Sequence, residues 1–198
     1  MTHASPSPAP GEGPILAQLR DVGYEVDSLA DLRHSGVRYR KVVPILVGAL
    51  SGATDKKTQM EVVRALTVPW ASPEATPPLI RMFKEVDDET GLGLRWAIGN
   101  ALDVTWNDDE FDDLVRIARN PAYGRSREMV VLGLGRSRRV EAAEILIELL
   151  DDPEVSGHAV RALRKIRTAA ARPGLERMLN DSRGWVRNEA KRALADLK

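Results

Sequence analysis

The stretch WVRNEAKRALADL at residues 185–197 decides how this chain is read. Val186, Ala190, Ala193, Leu194 and Leu197 fall at helical spacing, so one face of a helix is apolar while Arg187, Lys191, Arg192 and Asp196 occupy the remainder. Moving outward, the small-and-large pair Ala193/Leu194 has counterparts at Ala162/Leu163, Gly133/Leu134, Ala101/Leu102 and Ala65/Leu66, the steps from first to last being 36, 32, 29 and 31 residues. A second series runs between them. Leucine anchors stand at Leu46, Leu79, Leu114, Leu146 and Leu175, spaced by 33, 35, 32 and 29 residues.

Each anchor is followed three and four positions later by apolar residues, as in Leu46 with Ala49 and Leu50, or Leu79 with Met82 and Phe83. Two helical patterns per unit of about thirty residues mark a stacked helical solenoid. The second helices are expected over 56–68, 92–104, 125–134, 155–166 and 185–197. Pro44, Pro77 and Pro173 stand two residues before an anchor, where a missing amide donor costs little if it lies in the first helical turn. Short turns such as Ser51-Gly52, Asp151-Asp152-Pro153 and Asn180-Asp181-Ser182 are expected to stop one helix and cap the next. Residues 14–37 carry two leucine-rich helices without the repeat marks and read as an N-terminal cap. The array spans 38–198. Residues 1–13, rich in proline, serine and glycine, read as a disordered tail.

The 198 residues contain 29 basic and 29 acidic side chains, so no net field draws the chain to nucleic acid or an anionic membrane. With no cysteine, thiol catalysis, disulfides and cysteine-ligated metals drop out. The N-terminus lacks the basic and apolar regions of a secretory signal, and no apolar run is long enough to span a bilayer. A soluble cytoplasmic protein is expected.

VRNEAKRAL at 186–194 and EILIELLDDPEVSGHAVRAL at 144–163 resemble the HEAT-repeat superfamily, in particular its short bacterial lyase HEAT-like (PBS-lyase-type) variety. There a first helix resembling P-x-L-x-x-L-L is followed by an aspartate-rich turn and V-R-x-x-A-x-x-A-L. Units one to three depart from the pattern, with longer connections around Trp70 and Trp106 and with Gly133 in place of alanine. The resemblance implies an all-α, right-handed α-α superhelix of about five helical pairs, whose second helices line a concave partner-binding surface. Most such proteins are scaffolds and adaptors.

Carrying the register of the last helix back through the alanine–leucine pairs gives the expected inner rows. One comprises Met60, Trp96, Glu128, Gly157 and Asn188; the next, Arg64, Asn100, Leu132, Arg161 and Arg192; the third, Val63, Gly99, Val131, Val160 and Lys191. Trp96 and Met60 are the expected apolar anchors, Asn100 and Glu128 the orienting groups, and Arg161, Arg164 and Arg192 the contacts to an acidic segment of a protein partner. Arg64 and Asn188 complete the partner-binding set. Trp70 and Trp106 occupy equivalent positions and are expected to fill seams, while Trp185 shields the end of the stack or joins a weak homodimer of an otherwise monomeric protein.

No catalytic or metal residues are assigned, and no cofactor. His3, His34 and His158 are widely separated, Gly91-Leu92-Gly93 and Gly133-Leu134-Gly135 lack the strand of a dinucleotide motif, and Asp108/Asp109 with Asp112/Asp113 read as capping groups. The alternative implied by the resemblance is a DNA-binding, alkylpurine-DNA-glycosylase-like protein using Trp96, Asp103 and Arg161. A balanced net charge and an acidic stretch from Glu85 to Asp113 weigh against it.

Overall fold

The computed structural model describes residues 8–88 and 92–197, and within them every regular element is helical. His3, Gly91 and residues 1–7 of the expected tail lie outside the described residues. The chain divides into two compact units, the division falling between Thr105 and Trp106 in the sequence.

Unit 1 contains α1 (Glu12–Asp21), α2 (Leu29–His34), α3 (Val43–Gly52), α4 (Lys56–Leu66), α5 (Thr76–Glu85) and α6 (Leu94–Val104). Helices α3 and α4 pack as a pair, as do α5 and α6; α1, α3 and α5 form one row, and α2, α4 and α6 the other. The anchors Leu46 and Leu79 and the pairs Ala65/Leu66 and Ala101/Leu102 are fully buried between these rows. Each leucine contributes about 2 kcal/mol through removal of its apolar surface from water. Pro44 and Pro77 both stand in the first turn of their helices, as the register mark requires. Helix α1 begins at Glu12, two residues inside the segment expected as tail. Glu12 is buried, and its carboxylate accepts the Ala9 amide at 2.9 Å and the Leu29 amide at 2.8 Å, which ties the chain before α1 to the start of α2.

Unit 2 contains α7 (Phe111–Arg119), α8 (Glu128–Gly133), α9 (Glu141–Glu148), α10 (Ser156–Ile166), α11 (Arg172–Arg177) and α12 (Gly184–Asp196). The pairs are α7 with α8, α9 with α10 and α11 with α12, and the second helices α8, α10 and α12 form a row. Leu114, Leu146 and Leu175 are fully buried, as are Leu134 and Ala162/Leu163. Asp152 and Asp181 brace the connections by accepting the Glu154 and Arg183 amides two residues ahead, at 3.0 and 2.8 Å. Neither caps the helix that follows, since α10 and α12 have no side-chain cap.

The expected helix over 125–134 is shorter. Residues Pro121–Arg127 form 3₁₀ turns broken at Gly124, whose φ of 50° favours a residue without Cβ, and only Glu128–Gly133 is α-helical. The cause is Arg127. Its side chain is buried and donates to the carbonyls of Gly124 at 3.1 Å and Ala118 at 3.0 Å, and it pairs with Asp152 at 2.7 Å and Glu154 at 3.1 Å. A guanidinium taken out of water needs this full set of acceptors, and collecting them bends the local backbone.

Candidate functional site

In unit 1, Met60 and Arg64 lie one turn apart on α4, and Trp96 and Asn100 one turn apart on α6. Because α4 packs on α6, the four side chains line a single cavity of about 520 Å³, a size suited to a ligand side chain or short segment. Met60 and Trp96 are half-buried, Arg64 is exposed, and Asn100 donates its amide to the Trp96 carbonyl at 3.1 Å. Val63 and Gly99, expected on the same surface, are buried between the helices instead.

The cavity also holds Arg33, which the sequence reading missed because it lies in the cap rather than in a repeat. Arg33 and Arg64 share the Glu61 carboxylate at 2.8 and 2.7 Å, leaving one cationic charge in excess on that wall. Tyr39 closes the base, donating its hydroxyl to the Ala65 carbonyl at 2.8 Å, and Trp70 meets its ring edge-on at 5.5 Å. Burial pushes the Tyr39 hydroxyl up to about 12, against the opposing pull of Arg33. Asp103, cast beside Trp96 in the DNA-directed alternative, is buried and is not among the residues lining this cavity.

Unit 2 presents a different surface. A groove of about 750 Å³ is lined by Arg161, Arg164, Lys165, Arg167 and Arg192, opposed by the carboxylates Glu189 and Asp196. Arg164 reaches Asp196 at 2.8 Å and Glu189 at 3.4 Å, and Arg192 reaches Glu189 at 2.9 Å. The hydrogen bond from Arg164 leads the interactions that hold the Asp196 carboxyl below its ordinary value. Leu132 sits at the groove but is 6% exposed, and Val131 and Val160 are fully buried, so the expected third row is a core row at these positions. Lys191 alone of that row is exposed in unit 2.

Glu128 departs from its expected role. It is 7% exposed, and Arg125 holds its carboxylate at 2.8 Å, so it is a structural group at the start of α8 rather than an outward-facing one. Gly157 is buried too. A Cβ there would lie 2.2 Å from the Trp185 ring, so the indole of α12 rests directly on α10. His158 meets that ring at 5.7 Å and Arg183 lies over it at 5.9 Å. Burial leads the causes that push the His158 imidazole below its ordinary value, although Glu128 opposes it. Asn188 is exposed but is not among the groove's lining residues.

Asp108 is tied down by three donors: the Ser137 hydroxyl at 2.6 Å, the Arg138 amide at 2.9 Å and the Trp106 indole at 2.9 Å. Burial raises its carboxyl, but these hydrogen bonds outweigh it and leave the group below its ordinary value. Trp106 thus serves the connection before α7. Among the described residues, no group of three or more histidine, aspartate or glutamate side chains could hold a metal ion, and no helix is long and apolar enough to cross a membrane.

Residues 111–195 match the family model described as HEAT repeats. The sequence matches no curated protein. Among solved structures, the fold is similar to a designed armadillo repeat protein in complex with the peptide (KR)4, with a TM-score of 0.56, 17% identity and coverage of 96% of this chain and 95% of that one. A second designed armadillo repeat protein gives a TM-score of 0.52 at 18% identity, covering 86% of each chain. An engineered protein gives 0.54 at 21% identity, covering 78% of each. The chain is therefore an all-α helical-repeat protein of the solenoid class. Over residues 111–195 its repeats are similar to those of the HEAT-repeat family.

Proposed function

We propose that this protein is a non-catalytic adaptor that binds a protein partner in the cytoplasm, with the α4–α6 cavity of unit 1 receiving an apolar side chain of that partner. One observation carries the reading: Met60, Arg64, Trp96 and Asn100, selected by repeat register, line the same cavity. A half-buried tryptophan beside a flexible methionine offers a large apolar contact at little ordering cost, and Arg64 at the rim supplies direction. Asn188 and the arginines of unit 2 extend the contact set, and the protein acts as a monomer or weak homodimer. Helical-repeat scaffolds commonly bind proteins or peptides along their second helices.

Selection of peptides from a random displayed library tests this. Wild-type protein is expected to enrich sequences with a large apolar residue, and Trp96→Ala to weaken their binding by about 30-fold while the thermal melt shows a folded protein. Enriched peptides that bind Trp96→Ala as tightly as wild type would remove the cavity from the function.

A further inference from the structure

We propose that the groove between α10 and α12 in unit 2 is a site for an acidic peptide segment, whose carboxylates are received by Arg161 and Arg167. The inference rests on the protein-binding reading above and adds the chemistry of a second contact, separate from the apolar cavity of unit 1.

Three observations lead there. The groove wall carries five cations against two carboxylates, so it is cationic although the chain as a whole is neutral. Its charges are also unequally committed. Glu189 and Asp196 are engaged with Arg164 and Arg192, which fixes those guanidiniums along α12. The side chains of Arg161 and Arg167, by contrast, are exposed and make no hydrogen bond or ion pair with any described residue. An arginine held in place by a neighbour shapes the groove, whereas one with an open fork can accept a carboxylate through two parallel hydrogen bonds.

Arg167 supplies the third observation. It follows the last turn of α10 with φ of 59° and ψ of 41°, the one non-glycine residue with positive φ among the described residues. Its amide donates to the Leu163 carbonyl at 2.8 Å, a helix-ending geometry in which glycine is the residue of least strain. A side chain at such a position is retained against a backbone cost, and strain of this kind concentrates at functional sites. Here the strained residue places a guanidinium on the same groove as Arg161.

The charge pattern favours a peptide over a nucleic acid. A phosphodiester backbone is bound by a track of cations that neutralise successive phosphates. This groove has two uncommitted arginines, with two carboxylates interrupting its wall, which suits discrete acidic side chains better than a continuous anionic backbone.

The test is fluorescence anisotropy of the full chain with three labelled probes: the peptides (DE)4 and (KR)4, and a single-stranded DNA of the same charge as (DE)4. The (DE)4 peptide is expected to bind, weakening as salt is raised, while (KR)4 and the DNA bind at least about tenfold more weakly. The double variant Arg161→Glu/Arg167→Glu is expected to lose about tenfold or more in (DE)4 affinity. Arg167→Gly gives the more diagnostic result, because it should raise the melting temperature while weakening (DE)4 by about threefold. Failure of (DE)4 to bind, with library peptides still bound at the Trp96 cavity, would overturn this inference and leave the adaptor reading intact. DNA bound more tightly than (DE)4 would overturn both. An unchanged (DE)4 affinity in Arg167→Gly would remove Arg167 from the site.

Discussion

Equivalent helix positions meet opposite fates in the two units. On α4 and α6 the residues five and one before the alanine–leucine pair, Met60 with Arg64 and Trp96 with Asn100, open onto a cavity with an apolar floor. On α8 the same positions, Glu128 and Leu132, are buried, and on α10 Gly157 disappears beneath Trp185 while Arg161 faces a cationic groove. Repeat register transfers a backbone position from unit to unit. What that position faces depends on the lengths of the flanking helices and on the side chain that arrives from the next one.

The sharpest way to break the comparison is at Arg127, whose buried network makes α8 unlike α4 and α6. Arg127→Ala leaves the Ala118 carbonyl without its donor and Asp152 without its cation, and it should destabilise the folded chain by about 3 kcal/mol, read by denaturant unfolding. An effect under about 1 kcal/mol would mean that the short α8 has another cause. The next largest effect is on binding rather than folding. Trp96→Ala should cost about 2 kcal/mol of affinity for selected peptides with little change in melting temperature, because its ring is only half-buried.

A smaller effect should appear at alkaline pH in unit 1. The Tyr39 hydroxyl is raised in the fold, so its contribution to stability is present below the ordinary value of 10 and is lost as pH rises towards about 12. Tyr39→Phe should lose about 1 kcal/mol at neutral pH through the missing bond to Ala65, and should flatten the alkaline fall in melting temperature. Unit 2 should respond at the other end of the scale. Asp108 is lowered in the fold, so its contribution is present above the ordinary 3.8 and is lost as pH falls through the folded value. Asp108→Asn should therefore make the acid fall in melting temperature slightly shallower, and an unchanged slope would show that the three donors act only as neutral hydrogen bonds.

Much of the fold was legible because its marks are local. The five leucine anchors are all fully buried, and proline stands in the first turn of each of the three helices where the repeat places it. The unit 1 site was legible for the same reason: α4 and α6 are regular, eleven-residue helices, so a register carried from one to the other lands on the same cavity. Less could be read around α8. PAYGRSR before it carries the signal of a turn in Gly124, yet nothing in the stretch shows that Arg127 turns inward to collect acceptors from α7 and from the connection before α10.

By itself, then, the sequence determined an all-helical repeat protein, the partition of its helices into pairs, and the face each helix buries, since apolar periodicity and proline placement act within a single helix. Tertiary structure alone decided which of the remaining residues stay open to a partner. Exposure is set by non-local approach: Trp185 covers Gly157 from the next helix, Glu61 draws Arg33 to the wall of the Trp96 cavity, and the left-handed backbone at Arg167 carries a guanidinium onto the groove of α10 and α12.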